Sequence, residues 1–162
     1  EQRFHKADAN TDGQLSRKEA YAEFPRMPEF FDEIDRNQDN AITLPEVKDA
    51  LQRRVDAAVD ALERGDWHTL GQLFNQSHAS LRDDFEVSCT ELDALVEACL
   101  AEPRCLGARL TGAGFGGAVV ALLERGGLDQ SLGRICTTYA QHTGFAARGF
   151  EVRSRGGVRR DV

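Results

Sequence analysis

The sequence predicts an α+β chain in two parts: a small all-α segment over residues 1–52, then helices packed on an antiparallel sheet over residues 53–162. Three observations predict it. Two polar twelve-residue loops, each running into a helix-like stretch, repeat near the start. Composition shifts along the chain: Lys6, Lys18 and Lys48 are the only lysines, whereas Cys89, Cys99, Cys105 and Cys136 and most glycines come later. Finally, two short apolar runs, "LGARLTG" and "AVVALLE", flank a glycine-rich turn between amphipathic stretches. No Pro/Gly/Ser linker marks the boundary. Val47, Leu51, Val55, Val59 and Leu62 keep a helical period across it, so one helix is expected to run through.

At 162 residues the chain is long enough to bury a core without staples. Its net charge of −7 disfavours a general nucleic-acid or anionic-membrane binder and suits a cation binder. No apolar run approaches the roughly 20 residues of a membrane span. The cysteines form no CxxC and have no His at zinc-ligand spacing, which reads as buried reduced thiols. An opening without Met or a leader-like stretch reads as a mature or cut start.

The first loop is "DANTDGQLSRKE". Oxygen-bearing side chains fall at loop positions 1, 3, 5, 9 and 12: Asp8, Asn10, Asp12, Ser16 and Glu19. Gly13 stands where the chain must turn sharply, Gln14 offers its main-chain carbonyl, and Leu15 is apolar. The second loop, "DRNQDNAITLPE", repeats the pattern with Asp35, Asn37, Asp39, Thr43 and Glu46, the Ala41 carbonyl, and Ile42 matching Leu15. A hard cation that takes six to eight oxygens at about 2.3–2.6 Å is served by this spacing from one short segment. Asn40 replaces the turn glycine in the second loop, so the second site is expected to be weaker. Pro45 is compatible with the first turn of the exiting helix. Pro25 and Pro28 split the stretch between the loops into two brief helices. Phe4, Tyr21, Phe24, Phe30, Phe31, Ile34 and Val47 are the expected core.

The paired loops resemble the EF-hand family over residues 1 to about 52, in the compact spacing of small bacterial members. The resemblance implies Ca²⁺ as the cofactor, in a structural or buffering role. Met27, the single methionine, argues against a Met-rich target groove.

In the second part, "VDAAVDALERGDWHTLGQLFNQSHASLRDDF" reads as two helices with a turn at Arg64-Gly65-Asp66. "SCTELDALVEACLAE" reads as a third, capped by Ser88 with Glu91 completing a capping box. "LGARLTG" and "AVVALLE" read as strands, "DQSLGRICTTYAQHTG" as a helix stopped at Gly144, and "AARGFEVRS" as a last strand. The tail "RGGVRRDV" reads as frayed. Gly112, Gly114 and Gly117 satisfy GxGxxG, but they precede a strand rather than a helix, which disfavours a dinucleotide fold. Backbone there closely approaches either a ligand or another loop. His78, Asp83 and Asp84 form a candidate acid/base cluster that reads better as a solvated helix end.

"LGQLFNQSHASLRDDFEVSCTELDALVEACL" followed by "GARLTGAGFGGAVVALL" resembles the carboxy-terminal part of galactokinases, within the GHMP small-molecule kinases, from about Arg53 to Arg153. The resemblance implies a substrate-side loop at Thr111, Gly112, Gly114, Phe115, Gly116 and Gly117, lying at a domain interface. Leu110 and Ala118 stand where the family often has Met and Cys. The sugar-binding opening motif, the ATP phosphate loop and the catalytic Asp and Arg have no counterpart in residues 1–52, so no catalytic residue is assigned. The chain alone is expected to bind Ca²⁺. As the tail of a galactokinase it would use ATP and Mg²⁺ only with the missing amino-terminal half supplied. That half, or a second copy, is the expected partner of the glycine-loop face. The compartments implied differ: cytoplasmic by the kinase resemblance, exported by the other.

Overall fold

The computed structural model describes residues 2–152. The order of elements is α1 (Gln2–Ala7), β1 (Gln14–Ser16), α2 (Arg17–Glu23), α3 (Met27–Ile34), β2 (Ala41–Thr43), α4 (Leu44–Arg64), α5 (Trp67–Asp83), α6 (Thr90–Leu100), β3 (Cys105–Thr111), β4 (Ala118–Leu123) and α7 (Leu128–Thr143). No helix among the described residues is long and apolar enough to cross a membrane.

The two loops meet through β1 and β2, which pair antiparallel with Leu15 opposite Ile42. Both side chains are wholly buried, with Phe4, Ala20, Phe24, Met27 and Phe31 around them. Helix α2 stops at Glu23 because Phe24, preceding Pro25, is extended. Pro28 then occupies the first turn of α3, where its missing N–H is harmless. The expected core needs correction at two positions. Tyr21 is 39% exposed and Phe30 half-buried, while Met27 joins the core. Neighbouring helical residues point about 100° apart, so on these short helices burying Ala20 and Phe31 turns Tyr21 and Phe30 outward.

Helix α4 begins at a capping box in which the Thr43 hydroxyl accepts from the Glu46 amide and Glu46 reaches back to the Thr43 amide. It runs unbroken to Arg64 and ends at left-handed Gly65. Asp66 then caps α5 by accepting from the Thr69 amide at 3.1 Å. The expected Ser88 cap of α6 does not form. Cys89 is the capping residue, without a side-chain bond, because the Ser88 hydroxyl donates instead to the Asp93 carboxylate.

Strands β3 and β4 pair antiparallel, from Cys105 opposite Leu123 to Thr111 opposite Ala118. Val96, Cys99, Ala108, Ile135 and Tyr139 form the core between this ribbon, α6 and α7. Helix α5 lies so close on β3 that backbone meets backbone: a Cβ at Gly71 would stand 2.2 Å from the Leu106 carbonyl oxygen, and one at Gly107 2.1 Å from that of Gly71. The expected last strand is not present in residues 146–152. There the chain lies against α7 instead of a strand edge, with Gly149 tight on Leu132. Its final residues, 153–154, and the "RGGVRRDV" tail lie outside the described residues. The cysteines are free, as the spacing implied. Only Cys99 is fully buried, and burial pushes its thiol up to about 12.

Glu102, just past α6, ties that helix to α7. Its side chain is 2% exposed and accepts two N–H groups of Arg134, at 2.7 Å each, and the Ser131 hydroxyl at 3.0 Å. The Arg134 guanidinium holds the carboxyl down at about 2, against an ordinary value of 4.5. A depressed carboxyl contributes stability that is full above 4.5 and lost as pH falls towards 2. Substituting Arg134→Met is therefore expected to lower the melting temperature clearly at pH 7 and much less at pH 2.5, in paired thermal melts.

Candidate metal loops and glycine loop

Each twelve-residue loop starts at a buried carboxylate closing a helix: Asp8 is 5% exposed and Asp35 3%. The two then fold alike, bond for bond. Asp8 accepts the Asp12 amide at 3.1 Å and the Gly13 amide at 2.9 Å, and Asp35 accepts those of Asp39 and Asn40 at 3.2 and 3.0 Å. Asn10 and Asn37 take the amides of Asp12 and Asp39, both at 2.9 Å. Asp12 and Asp39 take those of Gln14 and Ala41, again at 2.9 Å.

The backbone repeats as well. Thr11 and Gln38 lie at φ 58° and 59°, and Gly13 and Asn40 at φ 83° and 66°. Asn40 thus reaches the left-handed turn that its position demands. Asn does so at less cost than most residues, through local hydrogen bonding.

At loop position 12, Glu19 accepts from the Ser16 amide at 3.0 Å and the Ser16 hydroxyl at 2.6 Å, and from the Ala9 amide across the loop at 3.2 Å. The Ser16 hydroxyl, then its amide, hold this carboxyl below the usual range. Glu46 repeats the arrangement on Thr43, at 2.9 and 2.7 Å. Burial pushes Glu46 up, but the Thr43 bonds outweigh it and the net shift is downward. Among the described residues no group of three or more His, Cys, Asp or Glu could hold a metal by itself. The donor set of each loop is mixed: three carboxylates with an Asn amide oxygen, a hydroxyl and a main-chain carbonyl. That all-oxygen set fits a hard cation and not a thiolate- or imidazole-seeking one.

The glycine loop joins β3 to β4. Gly112, Gly114, Phe115, Gly116 and Gly117 all have positive φ. Its base is fixed by the Phe115 amide, which donates to the Val87 carbonyl at 2.7 Å, and by Gly114, where a Cβ would stand 2.1 Å from the same oxygen. The close approach expected of the glycines is therefore, at Gly114, an approach to the chain after α5. At Gly112, Gly116 and Gly117 nothing lies within 4 Å of a Cβ, so those glycines answer to their backbone conformation. Phe115 is 74% exposed.

The solvated helix end expected at His78, Asp83 and Asp84 is not what forms. His78 is 4% exposed, under β3. Its Nδ1 accepts the Leu110 amide at 3.4 Å, and Nε2 stands 3.4 Å from the Asp93 carboxylate. Burial pushes its pKa down, partly offset by Asp93. Asp83 pairs with Arg82 at 2.7 Å, and burial pushes Asp84 up. The reason is the contact at Gly71 and Gly107, which presses the same face of α5, one and two turns further on, under the sheet.

Sequence reasoning missed Arg3. Its guanidinium donates to the carbonyls of Asp84 and Glu23, pairs with Glu86 at 3.4 Å, and lies over the Phe24 ring. It fastens the loop-bearing segment to the turn after α5, whose next carbonyl but two, that of Val87, holds the glycine loop. An arginine three residues into the chain carries no pattern that foretells partners more than eighty residues away.

Comparison with known proteins follows this division. The family model for EF hands matches residues 1–19 and 29–51, and that for the GHMP kinase C terminal matches residues 58–141. Human galactokinase is 52% identical over 87 residues, 54% of this chain and 22% of its own length. A galactokinase of Roseiflexus is 44% identical over 108 residues, 67% of this chain and 28% of its own. The chain thus spans about a quarter of the curated relatives it matches. A crystal structure of Lactococcus lactis galactokinase complexed with galactose superposes with a TM-score of 0.58 at 32% identity, over 80% of this chain and 38% of that one. The match over 58–141 covers more than half of the sequence, and so the chain belongs to the GHMP kinase C-terminal family, with an EF-hand segment in front of that domain.

Proposed function

We propose that the chain binds Ca²⁺ through its two loops. The ligands are Asp8, Asn10, Asp12, Ser16 and Glu19 with the Gln14 carbonyl, and Asp35, Asn37, Asp39, Thr43 and Glu46 with the Ala41 carbonyl. The observation that carries this reading is the duplication of loop conformation, including the left-handed Asn40 opposite Gly13. Two independent sequences that adopt one strained conformation, joined through Leu15 and Ile42, are under one constraint, and a shared kind of cation supplies it. Bound Ca²⁺ would offset two of the three carboxylate charges of each loop and fix the helices at its two ends. The unit is taken as residues 1–52, with the kinase-like domain from 53.

Calorimetric titration of the purified chain with Ca²⁺, Mg²⁺ present as competitor, tests it. Two sites are expected, with the Asp8–Glu19 loop the tighter. No heat and no shift in melting temperature would end the reading.

A second reading rests on the relatives. As the carboxy-terminal part of a galactokinase, the chain takes part in ATP- and Mg²⁺-dependent phosphorylation of galactose once the rest of the enzyme is supplied, with Thr111 to Gly117 on the substrate side of the interface. The 52% identity to human galactokinase supports it. ATP turnover on galactose by the chain mixed with the separately expressed amino-terminal part, and not by either alone, is its test.

A further inference from the structure

The front helices and the end of α5 enclose a cleft of about 490 Å³, within the range of about 300–1,000 Å³ typical of small-molecule sites. Its walls are apolar, with Phe4, Phe24, Met27 and Phe30 from the front segment and Phe85 from behind α5. Four charged side chains interrupt them, and two of these, Arg26 and Asp84, carry buried unpaired atoms. Arg26 lies over the Phe30 ring and bonds Glu29 through Nη2 at 3.1 Å, but its Nη1 is buried with no partner among the described residues. Asp84 has one carboxylate oxygen, Oδ1, buried and likewise without a partner. A buried donor and a buried acceptor left unpaired are each costly, and such atoms are rare in folded proteins. Here both line one cleft.

A ligand that accepts a hydrogen bond at Arg26, donates one at Asp84 and is otherwise apolar satisfies both atoms. Arg3 and Arg54 also stand in the wall, Arg3 paired with Glu23 and Glu86 at 3.7 and 3.4 Å.

We propose that the cleft binds a medium-chain carboxylic acid, its head between Arg26 and Asp84 and its alkyl chain along the phenylalanines. One proton is shared by the ligand carboxyl and Asp84. That leaves a single negative charge facing the Arg26 guanidinium, a charge-assisted contact. The site takes Leu15 and Leu44 from the two twelve-residue loops but none of their oxygen-bearing positions, and nothing from the glycine loop, so it does not rest on either reading of function.

Met27 lines the cleft and is the only methionine of the chain, so its methyl group reports occupancy. The full chain, ¹³C-methyl-labelled at methionine, is titrated with hexanoate, octanoate and decanoate below their micelle-forming concentrations. EDTA is present so that calcium soaps do not form. A saturable one-to-one shift of the Met27 signal is expected, tightening about fourfold with each added methylene. Substituting Arg26→Met is expected to weaken decanoate about 10- to 100-fold while the gain per methylene persists. The proposal is overturned by the absence of a saturable shift, by equal affinity along the series, by uptake of many molecules per chain, or by full affinity in a folded Arg26→Met chain. The chain-length series on the unaltered chain decides even if that variant does not fold.

Discussion

Gly71→Ala is expected to destabilise the fold by about 3 kcal/mol or more, read from urea unfolding with circular dichroism. The added methyl would stand 2.2 Å from the Leu106 carbonyl oxygen and 2.5 Å from its carbon. These are backbone atoms of β3 and cannot swing aside as a side-chain tip does. Relief requires lifting α5 off the strand. That lift breaks the bond from the Ala108 amide to Asn75 and the bond from the Leu110 amide to His78, at 2.9 and 3.4 Å. Gly133→Ala is the control. That glycine is an exposed residue of α7 with nothing within 4 Å of a Cβ, and the same substitution is expected to stabilise by about 0.5–1 kcal/mol. Opposite signs from one chemical change would isolate backbone contact as the cause.

Glu19→Gln is expected to weaken Ca²⁺ binding at the first loop by about 100-fold or more, since loss of a direct ligand exceeds the roughly 10- to 100-fold effect of outer-shell partners. Gln still serves a capping box, so α2 keeps its start and metal-free stability changes by less than about 0.5 kcal/mol. The melt in saturating Ca²⁺ separates the two roles. Ligand at 100 times its dissociation constant stabilises by about 2.7 kcal/mol, and the variant loses the share of the first loop. Glu46→Gln does the same for the second. A variant that melts early in EDTA yet keeps the full Ca²⁺-dependent stabilisation would make Glu19 a helix cap and nothing more.

The sequence makes the loops legible because their chemistry is local: every bond from a main-chain amide to a side-chain oxygen that turns them spans at most ten residues. The helices and the β3–β4 ribbon are legible from periodicity and from glycine stops at Gly65 and Gly144. The errors fall where partners are distant. Ser88 reads as a cap until Asp93 competes for its hydroxyl. His78 reads as solvated because nothing in "SHASLRDD" reveals the sheet that covers it. The final strand reads well by alternation, yet alternation says nothing about whether an edge stands free to pair. Arg3 is the extreme case, its role visible only when α1 and the end of α5 are seen together.

Helix α4 crosses from the EF-hand segment into the kinase-family domain without a break. Residues 52–64 offer a protease no extended stretch, because cleavage needs the peptide drawn out and every such opening costs consecutive helical hydrogen bonds. The two regions matched by different families therefore present a single unbroken span to the cellular machinery that probes for seams. Limited proteolysis of this protein would yield no fragment ending near residue 52, and whatever divides the two regions in their lineage is invisible in how the chain withstands digestion.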